Sequence, residues 1–428
     1  MSAARYSPHA KAFGWGVAEY VAYPACMLVA TPLFLATLGA EGYGLLLLAG
    51  SVTSLAGASG LGMGAATIRF VAQARGTGDS EGAARVVRHT LALSLLGGAA
   101  VAALTCAAAP WLAGAWFGAM GPERVVSGVI VLGAVLLLLQ QLDGIFVSAI
   151  KGHERFDIAV KLEVATRVFG VAATLAGASI GQNVLAAMIA SVAAAVGSLA
   201  VKALFASRVS GAAVFIPAWS PESAARLFAF GGWNWLSGLA AWAFLHLDRL
   251  VIGSALGAAA LAQYGICTQL AAQVHLIPAA GLGFLFPLAS RRLAADPAAP
   301  MRRGTAIAIL VSLATASLIA APLVLFGDEI LRLWVGPVDP QTQKLLLWMT
   351  LVYWAAALGA TPHYLLLGRG DSRFVSMTLV GAGIIGAVFA LVLIPAIGVL
   401  GGVLGRAMHV PFIAASYWRL YQRRPAHA

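Results

Sequence analysis

Glu163 and Arg167 lie four residues apart, acid first, in a stretch of chain that is otherwise apolar. On a helix that spacing stacks the two side chains on one face, where they can pair. From Val168 to Ile180 the chain carries no charge. At helical rise that segment covers only about 20 Å of a hydrocarbon core about 30 Å thick. Both charges are therefore expected at membrane depth, either as a self-neutralised pair with Arg167 reaching toward the headgroups, or lining a polar cavity. Glu19 and Asp143 stand at similar distances from Lys11 and Lys151, so both are expected in the inner half of the bilayer. A carboxylate there either takes up a proton or cation, or accepts hydrogen bonds from neighbours such as Gln140 and Gln141. Arg406, with His409 three residues on, either reaches outward from the last apolar stretch or contacts a ligand. Asp248-Arg249 reads as an interfacial ion pair, and His246 and His275 as lone histidines inside apolar segments.

These charges are exceptions within an apolar chain. Of 428 residues 61% are hydrophobic and 10% charged, with a mean hydropathy of +0.88. The apolar residues come in runs of about twenty, which describes a polytopic membrane protein and excludes a soluble domain. A net charge of +11 raises nucleic acid as a partner. Yet the basic residues fall between apolar runs and form no aromatic-interleaved patch, so no nucleic-acid partner is expected. Cys26, Cys106 and Cys267 lack CxxC spacing, which argues against a disulfide framework or metal site. The first apolar run is longer than a signal-peptide core and carries Glu19, so it is expected to be retained.

The chain repeats itself. Gly14-Trp15 returns as Gly232-Trp233 and Leu38-Gly39-Ala40 as Leu256-Gly257-Ala258, each 218 positions on. Tyr43-Gly44 returns as Tyr264-Gly265 and Gly60-Leu61-Gly62 as Gly281-Leu282-Gly283, 221 positions on. Arg155-Phe156 returns as Arg373-Phe374, again at 218. Landmarks that keep order and nearly one offset argue for an internal duplication. By the same offset His363 falls near the counterpart of Asp143.

The expected spans are 13–38, 44–66, 88–109, 125–150, 159–180, 184–206, 227–251, 260–288, 304–326, 344–366, 375–395 and 399–418, about twelve helices with six in each copy. An even number per copy gives both the same orientation, related by an axis along the membrane normal. The expected fold is all-α, with one six-helix lobe over 1–208, a cytoplasmic linker over 209–226 and a second lobe over 227–428. With both termini inside, 22 of the 27 Lys and Arg residues fall on or near the cytoplasmic side, leaving Arg124, Arg249, Arg332, Lys344 and Arg406.

The longest outer loops, 110–124 and 327–343, are short. No dinucleotide fingerprint, Walker loop, HExxH or extramembrane carboxylate cluster is present, so transport is expected in place of catalysis. Glu19, Asp143, Glu163, Asp248 and His363 are the candidates for ion coupling. Pro24, Pro32 and Pro278 mark helices that can kink, either as hinges or as static packing features.

The segments LGAEGYG, GLGMGAATIRFVAQ with GTGDSEGAAR, KGHERF, and FGGWNWLS with LDRLVIGSALGAAALAQYG resemble the polysaccharide-export, O-antigen flippase family. That family belongs to the multidrug/oligosaccharidyl-lipid/polysaccharide (MOP) exporter superfamily, which includes the MATE transporters. The resemblance covers roughly residues 10–420 and implies two six-helix lobes around a cavity that opens alternately to either side. It also implies an undecaprenyl-pyrophosphate-linked oligosaccharide, an O-antigen or exopolysaccharide repeat unit, as substrate. This would move between leaflets of a bacterial cytoplasmic (inner) membrane. Under that resemblance Arg167, Arg249 and Arg406 are candidates for the pyrophosphate, since a guanidinium fork matches phosphate oxygens. Trp233 and Asn234 are candidates for sugar contacts. The implied protein works as a monomer among membrane lipids, with a polysaccharide polymerase as a candidate partner. It needs no cofactor, with an H+ gradient, an Na+ gradient or the membrane potential as candidate drives. A cation-coupled drug antiporter is the closest rival, and a membrane glycosyltransferase or polymerase the next.

Overall fold

The computed structural model describes residues 7–56, 63–283, 285–286, 288–290 and 302–422; the side chains of 7–23 and of most of 221–244 lie outside the description. Among the described residues the regular structure is helical, with no strand. In chain order the helices are α1 (Ser7–Thr53), α2 (Met63–Gly76), α3 (Ser80–Ala115), α4 (Glu123–Gly152), α5 (Phe156–Gly181), α6 (Val184–Ser210), α7 (Pro221–Ala271) and α8 (Gln273–Leu282). There follow α9 (Arg302–Leu325), α10 (Gly327–Val335), α11 (Pro340–Ala357), α12 (Ala360–Gly368), α13 (Ser372–Ile397), α14 (Val399–Ala407) and α15 (Val410–Tyr421). A 3-10 turn covers Gly118–Met120.

Nine described stretches are long and apolar enough to cross a membrane, which makes the chain a multi-pass membrane protein. Two of them, Pro24–Thr53 and Leu245–Leu282, each carry parts of two expected spans across a backbone break. The breaks fall at Gly39 (φ 69°, ψ −179°) and Gly257 (φ 86°, ψ 179°). That region of backbone space is open almost only to glycine, so the repeated Leu-Gly-Ala has a structural cause. The expected fifth span is filled by α5, while the expected tenth and twelfth are each interrupted, into α11 with α12 and α14 with α15. The segment 327–343, expected as an outer loop, is not a bare loop. It forms α10, which carries an Arg332–Asp328 bridge (3.0 Å) on one turn and buries Leu331.

Polar residues outside the spans start the helices. Asp79 accepts from the Gly82 amide (2.7 Å) ahead of α3, and Asn183 from Ala186 (2.9 Å) ahead of α6. Asp339 does the same for Gln341 (2.8 Å) ahead of α11. Each satisfies an amide that the first turn leaves open.

The chain divides into two compact units. One runs to Trp242 and includes Gly257–Ala259; the other holds Ala243–Leu256 and the chain from Ala260. The division falls within α7, between Trp242 and Ala243. In the first unit α3 packs on α4, α4 and α5 both pack on α6, and α1 packs on α5. The segment after α6 is tied down, since Arg88 Nε donates to the Ala213 carbonyl (2.9 Å) and Val214 is buried. In the second unit α13 packs on α14, and α8, α9 and α11 pack on one another.

The duplication is visible in local packing. A Cβ on Gly152 would stand 2.8 Å from Val71 Cβ, and one on Gly368 would stand 2.6 Å from Ala289 Cβ. Each unit thus brings two backbones together at a glycine in matching places of the two copies. The inner surfaces are small and apolar, whereas Leu104, Ile180, Leu318 and Val392 point outward and are exposed. Outward Leu, Ile and Val fit hydrocarbon as solvent.

Candidate functional site

In the first unit three helices bring charges together. Lys202 on α6 is 3% exposed, and its Nζ lies 2.5 Å from Asp143 Oδ2 on α4 and 3.4 Å from Glu163 Oε1 on α5. Asp143 Oδ1 accepts from Ser198 Oγ (3.0 Å), one turn before Lys202. Glu163 Oε2 accepts from Arg167 Nη2 (2.7 Å), the expected pair at spacing four. The result is an alternating row, Arg167, Glu163, Lys202, Asp143, in which each buried charge touches its opposite. Buried ions persist in such a setting only when paired and hydrogen-bonded. At one end Arg167 keeps 40% of its side chain exposed and spends one nitrogen on Glu163.

Asp143 is not served by its sequence neighbours. Gln141 Nε2 donates to the Ser94 carbonyl (3.1 Å) on α3, so the expected glutamine contacts are replaced by Lys202 and Ser198. The residue missed by sequence reading is Lys202. Its signal is a basic side chain inside the expected span 184–206, where the count of inner-side charges absorbs it.

In the second unit Arg406 on α14 is buried at 6% and turns inward. Its Nε lies 2.6 Å from Asp248 Oδ2 and 2.9 Å from Tyr264 Oη, both on α7. Its Nη1 donates to Tyr353 Oη (2.5 Å) on α11, and its Nη2 to the Leu245 carbonyl (3.2 Å). Tyr264 Oη in turn donates to Asp248. The guanidinium also lies over the Tyr264 and Tyr353 rings, 5.8 and 5.7 Å from their centroids. Arg406 is thus engaged along its whole fork by its own chain.

The expected Asp248–Arg249 ion pair is replaced by Asp248–Arg406. Successive residues on a helix point about 100° apart and do not face each other. Asp248 Oδ1 takes only the backbone amide of Arg249 (2.8 Å), and Arg249 Nε is buried without a hydrogen-bond partner.

Tyr264 has a counterpart. Tyr43 is buried at 1%, and its hydroxyl lies 3.1 Å from Thr31 Oγ1. In both copies the repeated Tyr-Gly follows the glycine break and turns its hydroxyl onto a polar side chain of the helix before it. In the second copy that side chain is an aspartate, which is what allows it to hold Arg406.

His363 on α12 stands elsewhere in the second unit, where it lines a small pocket with His409, the residue just before α15. Pro24 and Pro32 lie within α1 and Pro278 within α8, and the non-helical residue of α1 is Gly39. The side chains of Glu19, Trp233 and Asn234 lie outside the described residues. Trp242 is described, and its Nε1 donates to Ser54 Oγ (2.9 Å) in the first unit. Among the described residues no group of three His, Cys, Asp or Glu side chains is placed to hold a metal. Cys26, Cys106 and Cys267 are free thiols.

The chain matches the family described as polysaccharide biosynthesis protein over residues 38–328. No curated protein matches it. Among solved structures it is similar to an inward-facing multidrug resistance MATE family transporter of the MOP superfamily, at 18% identity and a TM-score of 0.73, covering 94% of this chain and 96% of that one. It is similar to the MATE multidrug transporter DinF-BH at 16% identity and 0.65, covering 96% of each chain. An outward-facing MATE family transporter gives 17% and 0.59, covering 94% of this chain and 95% of that one. With a family match across most of its length and a MATE-like helical fold from end to end, the chain belongs to the polysaccharide biosynthesis protein family and is built on the fold of the MOP superfamily.

Proposed function

We propose that the protein is a flippase that moves an undecaprenyl-pyrophosphate-linked oligosaccharide from the inner to the outer leaflet of a bacterial cytoplasmic membrane by alternating access. The observation that carries this reading is the balance of charge inside the spans. Asp143, Glu163 and Asp248 are each met by a basic side chain of the same chain, Lys202, Arg167 or Arg406. A carrier of cations needs carboxylates that are open to its cargo; these three are taken. The surplus is basic, since Arg167 is partly exposed and Arg249 Nε is buried without a partner. That surplus suits an anionic headgroup, which cannot cross hydrocarbon without compensation.

Arg167 is the residue assigned to the pyrophosphate. When a phosphate oxygen arrives at its exposed nitrogens, Glu163 can shift its interaction toward Lys202, already 3.4 Å away, so no carboxylate is left unpaired. The family match to polysaccharide biosynthesis supports the oligosaccharide, and the transporter fold supports movement in place of synthesis.

The test is reconstitution of the purified chain in liposomes with a lipid-linked oligosaccharide labelled on its sugar. Appearance of label in the opposite leaflet, reduced in Arg167→Glu, supports the reading. Transport of a cationic dye with no movement of the lipid-linked sugar would assign the chain to drug antiport.

A further inference from the structure

The charged row of the first unit is unevenly drawn together. Lys202 Nζ stands 2.5 Å from Asp143 Oδ2 but 3.4 Å from Glu163 Oε1. A charge-assisted contact between nitrogen and oxygen closes to about 2.7–2.9 Å when nothing opposes it. The lysine therefore leans on Asp143 and holds Glu163 loosely. Glu163 completes its pairing with its other oxygen, 2.7 Å from Arg167 Nη2. Lys202, Glu163 and Asp143 keep at most 17% of their side chains exposed, against 40% for Arg167. A change in the buried part of the row is thus felt at a group that a ligand can reach.

The lean has a cause in the helices. Ser198 lies one turn before Lys202 on α6 and donates to Asp143 Oδ1 (3.0 Å), which seats that carboxylate beside the lysine. Among the described residues the side chain of Glu163 meets two donors, Lys202 on α6 and Arg167 on its own helix α5. An ammonium carries three donors on a flexible stem and can divide itself between two carboxylates. Bringing the Glu163 contact from 3.4 Å to a normal length moves the carboxylate about 0.6 Å toward Lys202. The same movement takes its other oxygen away from Arg167, from 2.7 Å to about 3.3 Å, past the usual limit of a hydrogen bond.

We propose that Lys202 is a positioning residue for Arg167: by dividing itself between Asp143 and Glu163 it sets how firmly Glu163 holds the guanidinium, and so how much of it is free for an anion. Loosening Lys202 from Asp143 shifts the lysine to Glu163 and releases Arg167. Removing Lys202 returns Glu163 wholly to Arg167 and closes the site. Asp143 on α4 thereby acts on Arg167 through two contacts in series. That the anion is a pyrophosphate rests on the flippase reading; the division of Lys202 does not.

The test follows the reactivity of Arg167 toward phenylglyoxal, a reagent for accessible guanidinium groups, by peptide mass spectrometry of the full chain in nanodiscs. Asp143→Asn is expected to raise the rate at least about threefold, and Lys202→Met to lower it by about as much, the worth of one net hydrogen bond. Loss of a nearby negative charge favours a freer Arg167 by its field alone, so the deciding comparison is Lys202→Met/Asp143→Asn. That variant keeps the row neutral but cuts the route from Asp143, and its rate is expected to stay at the Lys202→Met level. Equal acceleration by Asp143→Asn with and without Lys202 overturns the proposal, as does an unchanged rate in both single variants. If a single variant accumulates poorly, the neutral double variant is compared with native directly: a rate about threefold lower supports the proposal, and an equal rate overturns it.

A second series adds inorganic pyrophosphate, which is expected to slow modification of native Arg167 at least about threefold and to protect Asp143→Asn more strongly. Rates that follow Lys202 without any protection by pyrophosphate support the positioning role and count against the pyrophosphate assignment. Protection that is independent of Lys202 overturns the positioning role and leaves the flippase reading intact.

Discussion

Lys202 Nζ and Asp143 Oδ2 stand 2.5 Å apart, on two helices of the first unit, with the lysine almost wholly buried. An ammonium at that depth is held only by its two carboxylates. Removing it leaves Asp143 and Glu163 with one cation, Arg167, between them. Lys202→Met is expected to destabilise the first unit by about 3–5 kcal/mol, the usual result of stranding a buried charge. The paired change Lys202→Met/Asp143→Leu recovers most of the loss, as thermal unfolding in detergent will show. Equal destabilisation by the single and the double variant would mean that the ion pair is not what holds these helices together.

Arg406 gives a matching prediction for the second unit. Asp248→Asn leaves a fully engaged guanidinium without its counter-ion and is expected to cost about 3–5 kcal/mol. Tyr264→Phe removes one hydroxyl from the same cluster and costs about 1 kcal/mol. The ordering of the two melting temperatures is the check.

The glycine breaks separate conformation from space. Gly39 has positive φ and open room around it, so Gly39→Ala carries only the backbone penalty, about 1–3 kcal/mol. Gly44 lies where an added Cβ would fall 1.9 Å from the Ala258 carbonyl oxygen, so Gly44→Ala forces backbone apart. It is expected to be the more damaging of the two, measured by folded yield and melting temperature in one detergent.

At the turn between α4 and α5, Arg155 Nε lies 3.1 Å from Asp157 Oδ1. The hydrogen bond from Arg155 is the main cause that holds the Asp157 carboxyl below its ordinary value. A carboxyl lowered on folding contributes stability above the unfolded value, about pH 4, and loses it as pH falls through the lowered folded value. Both side chains are about half exposed, so the contribution is small and screened by salt. Native and Asp157→Asn chains should therefore differ in melting temperature at neutral pH and low salt, and converge in acid or at high salt.

Much of this architecture is legible in the residues. The repeated Leu-Gly-Ala and Tyr-Gly fall on the same break and the same buried tyrosine in each copy, because only glycine adopts that backbone and only a buried hydroxyl needs a partner there. The Glu163–Arg167 pair is legible because four residues is about one helical turn. The rest of the charge pairing is not. Arg406 finds Asp248 from 158 residues away, and Lys202 meets Glu163 and Asp143 from 39 and 59 residues away; spacing along the chain carries no signal for such contacts. The breaks at 358–359 and 408–409 follow from Pro362 and Pro411, whose missing amides act on residues four positions back. The prolines singled out in the sequence, Pro24, Pro32 and Pro278, instead lie within helices.

The most direct measurement is leaflet translocation by the purified chain in liposomes, with lipid-linked oligosaccharide and a cationic dye offered side by side. The lipid-linked sugar is expected to cross and the dye to stay, and Arg167→Gln, which leaves Glu163 to Lys202, is expected to slow crossing at least about tenfold while the chain still folds. A chain that carries the dye and leaves the lipid-linked sugar in place would contradict the flippase assignment.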